Sequence, residues 1–186
     1  MQKTPYKILG IDPGTNLLGY AVIQVEGKTL TAVDFGVLHL TKYKDHQTKL
    51  KEIFLQIQEI IETYLPVSMA IESPFYGKNV QSMLKLGRAQ GVAMAAAMTM
   101  GLDIHEYAPK KIKLSVTGSG NASKEQVSAM VARLLKIKIV KSYLDATDAL
   151  GAALCHYYQG VGPNLEKNKY KDWASYVKNN PGRKTR

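Results

Sequence analysis

Apolar residues fall in short dense runs, and the spacing inside each run changes along the chain. Residues 6–12 form an apolar run with the look of a buried strand. Residues 19–25 and 29–40 form two more, and Glu26-Gly27-Lys28 between them is a short turn. These two therefore read as a hairpin. Leu50, Ile53, Phe54, Ile57, Ile60, Ile61 and Leu65 then recur at steps of three and four, one apolar face of a helix that Pro66 stops. Residues 69–72 are too short for a helix and read as a strand. A loop with Pro74 and Gly77 follows, then a long helix over about 79–100 and a short strand over 102–107. After Pro109 the pattern is helical and basic, interrupted at 117–121. Ser123-x-x-Gln126 has the spacing of a capping box and opens a helix to about Lys136. A last helix covers about 145–160.

Five strands interleaved with helices predict an α/β fold. The hairpin makes the second strand antiparallel to its neighbours, so the sheet is mixed. One domain is expected over 1–159. Residues 160–186 read as a basic, Asn-rich tail with Pro163 and Pro181, and one short helix around 173–177.

The 186 residues are 45% hydrophobic and 22% charged, enough for one sizeable core. One cysteine, Cys155, excludes an internal disulfide. The start of the chain has no basic segment followed by an apolar one, and the longest apolar stretch, 91–101, is too short to span a bilayer. A cytoplasmic protein without a membrane partner is expected.

Charge changes this picture through its distribution. The net charge is +10, but residues 1–77 hold 7 basic and 8 acidic side chains. Residues 109–141 hold 8 basic and 1 acidic, and residues 166–186 hold 7 basic and 2 acidic. Segregated positive charge is the footprint of a polyanion such as nucleic acid. A solvated lysine face is the plainer reading.

Against that background, four carboxylates stand at the ends of apolar elements. Asp12 and Glu72 close predicted strands, while Asp145 and Asp148 open the last helix at i, i+3 spacing. A carboxylate beside a core is unfavourable unless something compensates it. One aspartate at a helix start can be an N-cap, but that does not explain the other three. Oxygen donors without thiolates point to a hard divalent ion, Mg²⁺ with Mn²⁺ as alternative, and four acids are enough for two ions. No Ser-His-Asp or Cys-His arrangement competes. Lys78, Lys113 and Lys124 are the candidate phosphate contacts. Phe75 and Tyr76 beside Glu72 suit stacking on a base, with a hydrophobic lid as the plainer reading. Gly118-Ser119-Gly120 fits a phosphate-binding turn or a simple glycine turn. Gly87, Gly91 and several alanines in the long helix suit a sheet contact or a second subunit.

The order of motifs resembles a known family. Ile8-Leu9-Gly10-Ile11-Asp12-Pro13-Gly14, Ala70-Ile71-Glu72 with Phe75, Lys78 and Asn79, and Asp145-Ala-Thr-Asp148-Ala-Leu look like those of the RuvC-type Holliday-junction resolvases. Leu84-Lys85-Leu86-Gly87-Arg88-Ala89-Gln90-Gly91 and Val116-Thr117-Gly118-x-Gly120 match its intervening segments. The resemblance covers about 7–158. It implies a ribonuclease-H-like fold with a mixed five-stranded sheet flanked by helices, and a homodimer. It further implies an endonuclease that nicks a four-way DNA junction symmetrically in recombination and repair, served by a branch-migration helicase. Asp12, Glu72, Asp145 and Asp148 become the metal-binding catalytic acids and Phe75 a base wedge. His156 would lie near the site, though a structural histidine fits its place in the chain as well. Two other classes remain alongside: a ribonuclease-H-like nuclease acting on RNA, and an actin-like or sugar-kinase-like ATP-binding domain.

Overall fold

The computed structural model describes residues 4–74, 79–138 and 144–160. Three strands come first, β1 (Tyr6–Asp12), β2 (Leu17–Glu26) and β3 (Thr29–His39). Helix α1 (His46–Tyr64), strand β4 (Ser68–Glu72), helix α2 (Val80–Thr99) and strand β5 (Asp103–Tyr107) follow. Helices α3 (Pro109–Thr117), α4 (Lys124–Leu135) and α5 (Leu144–Tyr158) complete the described chain. The sheet order is β3-β2-β1-β4-β5. β2 is antiparallel to β1 and β3, whereas β4 is parallel to β1 and β5. The mixed sheet expected from the pattern is present, with the five strands that the family resemblance implies.

Local chemistry sets the helix boundaries. Asp45 caps α1 by accepting from Thr48 N–H at 2.7 Å, and Asn79 caps α2 by accepting from Ser82 N–H at 3.0 Å. The Ser123–Gln126 capping box is present in both directions. Leu65, counted above on the apolar face of α1, instead ends the helix in the left-handed region at φ 52° and is exposed. Pro66 next to it forbids another turn.

Both faces of the sheet are covered. Ile8, Ala21, Ile23 and Ala70 pack against α3, α4 and α5 on one face. Leu9, Ile11, Val22, Met69 and Ile71 pack against α1 and α2 on the other. Adjacent residues of β1 thus feed opposite cores, as the two-residue strand period requires. α5 is buried nearly all round, with Ala146, Ala149, Leu150, Ala152, Ala153, Leu154 and Cys155 all inaccessible. Two strand glycines admit it. A Cβ at Gly10 would collide with the carbonyl oxygen of Ala149, and one at Gly19 with that of Asp145. Because Gly19 is the partner of Asp12 across the β1–β2 ladder, this close approach sets Asp145 beside Asp12.

Long α2 divides its small residues by face. Ala89, Ala93, Ala96 and Ala97 fill the core. Gly87 and Gly91 face open space, next to Val80 and Leu84 that are 68% and 57% exposed. Among the described residues, no helix is long and apolar enough to cross a membrane. The tail beyond 160, its proposed short helix included, lies outside the described residues.

Candidate metal centre and nucleic-acid interface

Asp12 and Glu72 stand at the carboxyl ends of the parallel neighbours β1 and β4. The β4–β5 ladder continues past Glu72 through Ser73 N–H donating to Tyr107 O at 2.9 Å, which fixes the strand end. α5 begins at Leu144, so Asp145 and Asp148 lie within its first two turns and neither is its N-cap. Asp12, Asp145 and Asp148 each offer a carboxylate oxygen, and these atoms lie within 4.8 Å of one another. Glu72 is outside that tight triple but lines the same cavity, of about 110 Å³, with Asp12, Asp148, Lys113 and Lys124. Three elements far apart in sequence therefore converge, as the four acids require.

Electrostatics shows what this convergence does. Burial first, then the charges of Glu72 and Asp148, pushes the Asp12 pKa up to about 8. Burial first, then Asp148, pushes Glu72 up to about 7. Lys124 Nζ donates to Asp148 Oδ2 at 2.9 Å, the one salt bridge among the described residues. That hydrogen bond, ahead of the other acids, raises the Lys124 pKa. No side-chain hydrogen bond from another described residue reaches the Asp12, Glu72 or Asp145 carboxylates. Two lysines therefore face four acids, only Lys124 by an ion pair, and burial with mutual repulsion favours the neutral form of Asp12 and Glu72. An all-oxygen donor set with room for water and a surplus of negative charge fits Mg²⁺ or Mn²⁺.

Several expectations resolve differently from residue to residue. Lys113 and Lys124 reach the cavity from α3 and from the start of α4. Phe75, Tyr76 and Lys78 lie outside the described residues. In the 118–120 turn two backbone donors are used internally: Gly118 N–H bonds Leu114 O, and Ser119 N–H bonds Thr117 Oγ1. Gly118, at φ 80°, is the left-handed cap of α3, a role that accounts for this glycine. His156 is fully buried, and its ring partners are hydroxyls and not the acids. Its Nε2 is 3.1 Å from Ser68 Oγ and its Nδ1 is 2.8 Å from Tyr107 Oη. Burial, then His105, pushes its pKa down to about 4. It is the structural histidine of the two readings.

Two functional positions escaped the sequence reading. Gly10 and Gly19 let α5 touch the sheet and so place Asp145 and Asp148; a glycine inside a strand pattern was the available signal.

The profile of the family described as "Crossover junction endodeoxyribonuclease RuvC" matches residues 8–156. A protein of that name from Cytophaga hutchinsonii is 58% identical over 174 residues, covering 94% of this chain and 86% of the relative. One from Christiangramia forsetii is 53% identical, covering 94% and 90%. Among solved structures, Thermus thermophilus RuvC superposes with a TM-score of 0.75 at 29% identity, covering 83% of this chain and 95% of that one. The same protein in complex with Holliday junction substrate gives 0.78 at 28% identity, covering 83% and 94%.

Proposed function

The chain belongs to the RuvC family of crossover junction endodeoxyribonucleases, and from that premise we propose that it resolves four-way DNA junctions with Asp12, Glu72, Asp145 and Asp148 as its catalytic, metal-binding acids. The observation that carries the assignment is the convergence of three carboxylates within 4.8 Å at the mouth of a cavity that Glu72 also lines. Neither the RNA-directed nor the ATP-binding alternative is favoured, because the match to the family runs through the whole nuclease domain.

Divalent ions, Mg²⁺ or Mn²⁺ and two per site, would supply charge neutralisation and an activated water for phosphodiester hydrolysis. The chain's own residues do the rest. Asp12 and Glu72 anchor the cavity from rigid strand ends. Asp148 lines it from α5, and Asp145 stands beside Asp12 and Asp148. Lys124 orients the Asp148 carboxylate, and with Lys113 it places positive charge where a phosphate would enter. Phe75 would open the stack beside the cut, and Lys78 would hold the adjoining phosphate. Residues 1–159 form the nuclease domain in this reading, and the tail from 160 adds non-specific contact.

A junction has two equivalent strands to cut, so two sites related by a two-fold axis are needed for paired incision. The open Gly87–Gly91 face of α2, beside exposed Val80 and Leu84, supports a homodimer packed there. A branch-migration helicase as delivery partner and a cytoplasmic location complete the reading.

The test uses purified protein with Mg²⁺ on three substrates: a four-way junction, a linear duplex of the same sequence and a structured RNA. Paired nicks in the junction alone are expected, from a species that sediments as a dimer. Equal cutting of the duplex or of the RNA would overturn the assignment, and paired cutting by a monomer would overturn the dimer.

A further inference from the structure

We infer that the α1–α2 layer carries a second phosphate-binding surface, built from His46, Lys49, Lys85 and Arg88, on which DNA flanking the acid cavity rests. This deepens the junction-resolving reading and rests on it.

The surface stands at the acid end of the sheet. Asp12 pairs with Gly19, and Leu17 pairs with His39, so β3 ends where β1 and β4 end. α1 and α2 follow β3 and β4, and both open at this end. They lie on the opposite face from α3, α4 and α5, which bring Lys113 and Lys124. Lys49 Nζ donates to Asn16 Oδ1 at 2.8 Å, which ties α1 to the loop that follows Asp12.

Positive charge is in excess there, with the Asp45 carboxylate at the α1 N-cap the opposing charge on the His46 ring. After burial, Arg88, Lys85 and Lys49 are the charges that most disfavour protonation of the His46 ring. All three therefore lie within electrostatic reach of one imidazole, from two helices packed together. Neither helix has an acidic residue in its first turn, where one is normally favourable. The Asp45 carboxylate is engaged by Thr48, through N–H and hydroxyl at 2.7 Å each. Lys85 and Arg88 form no ion pair among the described residues. His46 Nε2 is shielded from solvent and has no hydrogen-bond partner.

Like charges held together destabilise the free protein slightly and are relieved by a polyanion. A row of phosphates meets that requirement, since each can face a cation and the outward ends of two helix dipoles. Three cations from two helices, against one opposing carboxylate, give this face a net positive charge. With Lys113 and Lys124 on the other layer, the acid cavity then lies between two cationic shoulders. The strand to be cut crosses the cavity, and the duplex arm continues onto α1 and α2.

The experiment compares the wild-type chain with the exposed double variant Lys85→Glu/Arg88→Glu. Lys28→Glu, in the hairpin turn at the far end of the sheet, controls for net charge. Junction affinity is measured over a range of salt, with long arms and with arms trimmed to a few base pairs. The double variant should bind the long-armed junction at least about ten-fold more weakly, with a salt slope smaller by about 2. Trimmed arms should largely remove the difference, and Lys28→Glu should change little. Equal affinity and slope for wild type and double variant would overturn the inference. So would a loss equal to that of Lys28→Glu scaled for charge, or one that persists unchanged on trimmed arms. Wild-type protein that fails to bind a junction would instead overturn the functional reading, and this inference with it.

Discussion

The two ends of α5 carry polar groups of opposite kinds. At its C-terminal turn His156 is completely buried, and each ring nitrogen faces a hydroxyl, from Ser68 and Tyr107. At its N-terminal turns Asp145 and Asp148 crowd Asp12, and one lysine answers them. Burial acts on both ends and favours the neutral form at each, raising Asp12 and lowering His156. Partners make the difference. The histidine is satisfied within the protein, whereas the acids are satisfied only by something added. A buried polar group with its hydrogen bonds complete serves the fold, while one left in surplus marks a site.

The sharpest way to break this comparison is to change each end and measure cleavage. Asp148→Asn, Asp145→Asn, Asp12→Asn or Glu72→Gln should each slow junction cutting by at least about a hundred-fold, while binding survives through the lysines. His156→Ala, assayed at a temperature where it remains folded, should cut within a few-fold of wild type. A hundred-fold loss from His156→Ala would move the histidine into the catalytic machinery and erase the contrast.

Stability should show the reverse order. His156→Ala empties a packed site and strands the Ser68 and Tyr107 hydroxyls. A loss of about 2–4 kcal/mol is expected, or roughly 5–15 °C in Tm for a domain of this size. Thermal unfolding checks it. A change under about 1 kcal/mol would mean that water replaces the ring without penalty.

How far this contrast was legible in the sequence depends on the residue. The strands, the α2 boundaries and the Ser123 capping box were readable because periodicity and caps act over a few residues. The four acids were readable because each stands at an element end, a local signal. His156 was not, since its partners on β4 and β5 are 88 and 49 residues away. The His46 cluster was missed for the same reason. Its members come from two helices, and none lies in a basic block of the sequence. Leu65 misled because its apolar side chain continued the helical spacing, while Pro66 forced the chain out of the helix one residue earlier.

The subtlest test asks whether the acids really burden the metal-free fold. Asp12 has a folded pKa of about 8 against an ordinary value of 3.8. The native state therefore keeps a proton that the unfolded chain gives up. Between these values the native state binds more protons, so metal-free stability falls as pH rises from about 4 to about 8. Asn cannot ionise, so Asp12→Asn removes this dependence. Without metal the variant should be the more stable protein at pH 8, by about 1–3 kcal/mol, and its advantage should shrink at pH 5. Mg²⁺ should raise the Tm of the wild type at pH 8 and that of the variant much less, because a ligand that binds the native state stabilises it by mass action. Chelator-treated protein scanned at the two pH values, with and without Mg²⁺, separates these outcomes. If Asp12→Asn were less stable than wild type at pH 8 without metal, the carboxylate would be satisfied by the protein itself. The two ends of α5 would then be alike.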